Sequence, residues 1–273
     1  MKEPRYLEIR HETVTKGNEL IQKGQFDLSL QQQKIILFLI AQISPKDEDF
    51  KIHEFSISEF CRACGIAYNG RSLHELGEAL LRMRREVVLI KRGRDEDGEG
   101  LSEDDEDIEI LGWIDYARSV RKAGIIKVRI NEEMKPYLLQ LKQRFTTYEL
   151  IWTLNFRSKY TIRLYEYVKS VHYHKDELYI KDCPVDELKR IMGAGKYKTY
   201  KDFKKWALAP AVEEINQFSD VGLKFEELRQ GRRVEEIGLI ITPKEPQEVI
   251  RLKNAIEDKF DLNQLTIWDR LEG

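Results

Sequence analysis

Two copies of one element order (helix, strand, helix, turn, helix, β-hairpin) predict an α+β chain, mainly helical, built of tandem winged-helix modules related by internal duplication. Three observations carry this reading. A single offset in residue number pairs Ile36 with Leu164, Ile40 with Val168, Ile57 with Val185, Phe60 with Leu188 and Gly65 with Gly193. The apolar period changes from helical to alternating at matching places in both copies. The length, 273 residues, suffices for two domains with a core each.

In the first copy LSLQQQKIILFLIAQI, residues 28–43, puts Leu28, Ile35, Ile36, Leu39, Ile40 and Ile43 on one helical stripe. FKIHEF alternates as a short strand. Ser56 and Glu59 form a capping box that opens a short helix through Cys61 to Gly65. AYNGRS is a turn, LHELGEALLRMRREVV a longer helix stopped near Gly93, and IEILGWIDYARSV with GIIKVRI the hairpin.

The second copy opens on YTIRLYEYVKSV, residues 160–171, with Ile162, Leu164, Tyr165, Val168 and Val171 apolar. ELYIK is its strand, and Pro184 suits the first turn of VDELKRIMG, which stops at Gly193. KYKTYKDFKKWALAPAVEEINQF, residues 196–218, is the second helix of the pair, kinked or divided by Pro210. GLKFEELRQGRRVEEIGLIIT is the hairpin, turning at Arg229-Gln230-Gly231-Arg232. After Pro246 a short helix ends near Phe260. These readings divide the chain into 1–150, 151–243 and a C-terminal helix and tail, 244–273.

A helix-turn-helix places its second helix in the major groove of duplex DNA, N-terminal residues toward the bases. In the second module Phe203, Ala207, Leu208, Ala211, Val212 and Ile215 form that helix's buried stripe, and Lys198, Lys201, Lys204 and Lys205 lie off it. With Lys196, five lysines crowd the first ten residues of the segment, which marks phosphate contact. Arg232 and Arg233 at the hairpin tip add to the charge, and Tyr197 and Thr199 can bond phosphate or a base edge. Glu213 and Glu214 then lie beyond the DNA.

The net charge of −2 conceals a segregation. Residues 95–107, DEDGEGLSEDDED, hold nine acids and no base, so the remainder carries +7. This run reads as a solvated loop at the first wing, where it repels DNA. The long helix of the first module has a mixed face of Arg71, His74, Glu75, Glu78, Arg82 and Arg85, which favours dimerisation over DNA reading. No apolar run approaches the ~20 residues of a membrane span. The N-terminus lacks a secretory h-region and the cysteine count is odd, so a cytoplasmic protein without a disulfide framework is expected.

NELIQKGQFDLSLQQQKIILFLIAQI, FRSKYTIRLYEYVKS and DFKKWALAPAVEEINQFSDVGLKFEELRQGRRVEEIGLIIT resemble the initiator proteins of theta-replicating bacterial plasmids, over about residues 18–243. The resemblance implies that the second winged helix binds repeated sites (iterons) at the plasmid origin. It implies that the first mediates dimerisation and can add accessory DNA contacts, that monomers initiate, and that dimers repress the initiator's own gene. Ser158 and Lys159 match positions suited to backbone contact. Host replication proteins, the replicative helicase among them, are the implied partners. The acidic insert departs from that pattern.

Other readings compete. A dimeric transcriptional repressor would bind the same kind of site. A metal-dependent rolling-circle nicking initiator would use His172 and His174 as ligands and Tyr197 or Tyr200 as nucleophile. That motif needs both imidazoles on one strand, whereas this one follows a helix. Cys61 and Cys64 lack the second pair of a zinc site and suit a core. No phosphate-binding G-x-x-x-x-G-K-[ST] occurs, and neither a cofactor nor a metal is expected. In the tail, Gln264, Leu265, Thr266, Ile267 and Trp268 resemble the short peptide with which bacterial replication proteins dock on the sliding clamp.

Overall fold

The computed structural model describes residues 5–44, 46–64, 70–92, 107–120, 123–172 and 179–268. The first half runs α1 (Arg5–His11), β1 (Thr13–Gly17), α2 (Asn18–Gln22), α3 (Leu30–Ile40), β2 (His53–Ser56), α4 (Ile57–Ala63) and α5 (Gly70–Met83). β3 (Val87–Arg92), β4 (Asp107–Gly112), β5 (Ile114–Val120), β6 (Ile125–Ile130), α6 (Lys135–Leu138), β7 (Phe145–Glu149) and α7 (Ile151–Leu154) follow. The second half runs α8 (Lys159–Val171), β8 (Tyr179–Pro184), α9 (Val185–Ile191), α10 (Tyr200–Phe203), a π-helical turn (Lys204–Leu208) and α11 (Ala209–Phe218). β9 (Val221–Gln230), β10 (Arg233–Pro243) and α12 (Pro246–Trp268) close it. Among the described residues no helix is long and apolar enough to cross a membrane.

The duplication shows in the sheets. Each half has an antiparallel three-stranded sheet whose last strand lies in the middle, β2-β6-β5 in one and β8-β10-β9 in the other. In each sheet the first strand leads into a helix-turn-helix pair and the other two follow it as a hairpin, so the chain is a tandem winged-helix protein. Ser29 caps α3 through a capping box with Gln32, which fixes its start at Leu30. Ser56 accepts from the Glu59 amide and starts α4. Phe38, Phe55 and Phe60 close the first core, with the Phe38 ring edge-on to the other two at 5.1 and 5.3 Å. In the second, the stripe from Phe203 to Ile215 packs with Leu164, Val168, Leu239 and Ile241, all buried.

Several expectations need correction. The long helix of the first module ends at Met83, and Val87–Arg92 is a strand, because Val88 and Ile90 fill the core from alternate positions. IEILGWIDYARSV divides at Gly112-Trp113 into β4, paired with β3, and β5, paired with β6. The wing is therefore β5-β6. The acidic stretch belongs to an additional hairpin, β3-β4, and residues 93–106 between its strands lie outside the described ones. Pro184 stands at the N-cap of α9 instead of within its first turn. The second wing turns on Gly231-Arg232 alone, since Gln230 pairs with Arg233, and Gly231 takes φ +63. α12 continues past Phe260 to Trp268 because no glycine or proline interrupts it.

The halves are joined by buried polar contacts. β1 pairs with β7 across the chain, Thr13 opposite Glu149. From this ribbon the Lys16 ammonium reaches Glu166 of α8 at 2.6 Å, and the Tyr148 hydroxyl donates to the same carboxylate at 2.5 Å. Burial pulls the Lys16 ammonium below its ordinary range, and Glu166 opposes that shift. Arg163 of α8 donates to the carbonyls of Ile191 and Gly24 at 2.7 and 2.8 Å and stacks on Phe26 at 4.1 Å. The first residues of one half thus hold the helix that opens the other.

Candidate nucleic-acid interface

α9 ends in a Schellman motif: the Ala194 amide donates to the Lys189 carbonyl at 2.8 Å and the Gly193 amide to Arg190 at 3.1 Å. Gly193 supplies the φ of +64 that this closure requires, and a side chain there would also approach the Phe26 carbonyl. The chain then turns and restarts at Thr199, whose hydroxyl accepts from the Asp202 amide at 3.1 Å and donates to the Asp202 carboxylate at 2.7 Å. Thr199 is thus the cap of α10, a role its charge-rich surroundings did not suggest.

α10, the π-helical turn and α11 form one rod. Pro210 lacks the amide that would bond the Trp206 carbonyl, and the wide turn over Lys204–Leu208 precedes it. The rod buries Phe203, Ala207, Leu208, Ala211, Val212 and Ile215 and exposes Lys201, Asp202, Lys205, Trp206 and Glu213. Glu214 turns inward. Its carboxylate accepts from the Arg157 amide at 3.0 Å and from the Thr161 hydroxyl at 2.5 Å, so it holds the entry to α8.

The predicted cations separate into two groups. Lys204 pairs with Glu227 of β9 at 2.7 Å, Arg229 contacts the same carboxylate, and the Tyr200 hydroxyl donates to it at 3.0 Å. The Lys204 ammonium, helped by Arg229 and Tyr200, holds the Glu227 carboxyl down to about 2. This cluster ties the wing to the rod. Lys159 pairs with Asp27, Arg233 with Glu235 at 3.2 Å, and Lys196 lies over the Tyr197 and Tyr160 rings at 5.0 and 5.8 Å. Ser158 caps α8 by accepting from the Tyr160 amide at 3.2 Å. Lys198, Lys201, Lys205 and Arg232 have no ion pair among the described residues, and Lys205 stacks on Trp206 at 4.4 Å.

The geometry is a two-armed cationic surface. A cleft of about 660 Å³ between α9, the start of the rod and the wing is lined by Lys189, Lys198, Arg229, Arg232 and Arg233, with the acids Asp186 and Glu235 among them. A second, of about 540 Å³, continues past Lys189 and Lys198 to Lys196, Arg190 and Lys159. Two side chains here are not marked by the sequence: Lys189, which sits on α9 between the two clefts and pairs with Asp186 at 3.2 Å, and Trp206, 55% exposed on the rod. Both lie off their helices' apolar stripes, the one signal that would have found them.

His172 is 5% exposed at the C-cap of α8, not on a strand, and His174 lies outside the described residues. Burial first, and Glu227 second, push the Tyr200 phenol up, away from the ionised form a nucleophile needs. Cys61 and Cys64 are buried thiols, and burial pushes Cys64 up to about 12. Gln264, Leu265, Ile267 and Trp268 fall on the helical backbone of α12, with side chains outside the described residues. That helix is pinned to the first half by Lys253 on Glu149 at 2.6 Å and by Arg10 over Phe260 at 4.6 Å.

Two family descriptions match the chain, initiator replication protein WH1 over residues 13–169 and initiator replication protein WH2 over 184–241. A replication initiation protein of Escherichia coli is 27% identical over 223 residues, covering 77% of this chain and 64% of that relative's length. The PI protein of Escherichia coli is 29% identical over 150 residues, 48% of this chain and 47% of that one. Among solved structures, the Pi initiator protein in complex with iteron DNA superposes with a TM-score of 0.69 at 18% identity, over 86% of this chain and 99% of that one.

Proposed function

This chain belongs to the initiator replication protein family, and on that premise we propose that it binds repeated duplex-DNA sites, iterons, at a plasmid origin and recruits host replication proteins there. The observation that carries the reading is the set of exposed cations without an ion pair among the described residues: Lys198 just before the rod, Lys201 and Lys205 on it, and Arg232 at the tip of the wing. Phosphates spaced along a duplex reward such a row, because each neutralisation releases condensed counterions. The rod enters the major groove and the wing follows the flanking backbone. Lys204, Tyr200 and Arg229 set the angle between them through Glu227, while Thr199 and Ser158 orient helix starts toward phosphate. Lys159, Lys196, Tyr197 and Arg233 border the same surface.

In this reading residues 151–243 carry specific DNA binding and 1–150 dimerisation. The outward face of the β3-β4 hairpin supports the latter, since Val87, Ile108 and Ile110 are 43, 53 and 61% exposed. Monomers initiate, and dimers repress the initiator's own gene. Gln264, Leu265, Ile267 and Trp268 in 244–273 engage the sliding clamp, and the replicative helicase is recruited to the strained duplex. The protein works in the cytoplasm and performs no bond chemistry of its own.

The test is fluorescence anisotropy of the full chain on duplexes bearing the repeats cloned with its gene, against shuffled duplexes at equal salt. Binding tighter on the repeats by about 10³-fold or more supports the reading. Equal affinity for both overturns it.

A further inference from the structure

Among the described residues of the rod, the one large apolar side chain left exposed is Trp206, at 55%, whereas Trp113 and Trp152 are 1 and 2% exposed. Nothing in the core requires an indole there. Phe203, Ala207 and Leu208 already fill the buried stripe at this point of the rod. Lys205, its neighbour in the π-helical turn, covers one face at 4.4 Å and leaves the rest of the exposed ring free, and Lys201, one turn earlier in α10, is exposed as well. An apolar plate framed by cations matches one chemistry in duplex DNA. Phosphates lie to either side, and the thymine C5-methyl is the apolar feature that bases present in the major groove.

We propose that Trp206 is a specificity-determining residue that reads thymine through its C5-methyl group, with Lys201 and Lys205 holding the adjacent phosphates. The proposal rests on the DNA-binding reading of the rod and adds to it a base preference. Lysines alone would position the protein without choosing a sequence. Packing the indole on a methyl group removes both from water, and loss of one methyl-sized contact weakens binding by about fourfold, equivalent to ~0.8 kcal/mol.

The experiment measures affinity of the full chain for the repeats cloned with its gene, with each thymine replaced in turn by uracil, which deletes only the methyl. At one position of the repeat, uracil lowers wild-type affinity by about fourfold. Trp206→Ala binds the thymine duplex more weakly and is indifferent to that uracil; Trp206→Phe keeps most of the discrimination. The indole's emission, taken as wild type minus Trp206→Phe, shifts when the thymine duplex is added. Failure of the wild type to prefer the repeats would overturn the underlying DNA reading. Normal preference with no uracil effect overturns the Trp206 assignment alone. So does a Trp206→Ala loss that is equal on thymine and uracil duplexes, or one seen only as altered self-association by sedimentation.

Discussion

Removing the four unpaired cations should change the salt dependence of DNA binding by an amount the structure fixes in advance. Lys198, Lys201, Lys205 and Arg232 have no ion pair among the described residues, so each is free to neutralise one phosphate. Each neutralised phosphate contributes about 0.9 to the slope of log affinity against log salt, so replacing all four by glutamine lowers the slope by about 3.6. Between 50 and 200 mM salt the wild type then loses about 150-fold more affinity than the variant. Lys204 serves as the internal control. Its charge is already offset by Glu227 at 2.7 Å, so Lys204→Gln changes the slope by less than about one unit. Anisotropy titrations on the repeat duplex across that salt range, with circular dichroism to show that the variants fold, give both numbers. A quadruple variant that keeps its fold and the wild-type slope would show that these four side chains do not neutralise phosphate.

Other predictions follow from the buried and interface contacts. Glu227 is depressed to about 2 from an ordinary 4.5, so its clamp stabilises the second module above pH 4.5 and is lost as pH falls toward 2. The urea midpoint of Glu227→Gln is accordingly lower than wild type at neutral pH, and the two converge through that window. Lys16→Met leaves the Glu166 carboxylate, 1% exposed, without its cation and should cost about 3–5 kcal/mol, read by denaturant unfolding. The double change Lys16→Met with Glu166→Leu recovers most of that loss. Charge placed on the outward face of β3-β4, as Ile108→Lys with Ile110→Lys, shifts self-association toward monomer in analytical ultracentrifugation without weakening the affinity of the second module for DNA.

What was legible in the sequence is what depends on local period. The stripe of the rod and of α8 and the caps at Ser56 and Gly193 follow from spacing within one or two turns, and the pairing of the two modules follows from the recurrence of that spacing at one fixed offset. The β3 segment was illegible because Val87, Val88, Leu89 and Ile90 fit a helix or a strand equally, and only the core contacts of Val88 and Ile90 decide. Mistaking it moved the acidic run from an added hairpin onto the wing. The β1-β7 ribbon joins residues such as Thr15 and Thr147, 132 apart, with no turn signal between them. At the candidate interface, the cation-rich region is visible in the sequence but its division of labour is not. Lys204 looks like its neighbours until Glu227, 23 residues on, is placed beside it, and Glu214 looks solvent-facing until Arg157 approaches. Trp206 is off the apolar stripe by simple counting, yet an aromatic among Phe203, Ala207 and Leu208 reads as core.

The central claim is that this chain recognises repeated duplex DNA and leaves its strands intact. The most direct test incubates the full chain with end-labelled DNA from around its gene, with and without EDTA, and runs native and denaturing gels. The expected result is a sequence-specific shift that survives EDTA, with both strands uncut. A metal-dependent cut that leaves protein covalently attached to one strand would contradict it and assign the chemistry to His172, His174 and Tyr197 or Tyr200.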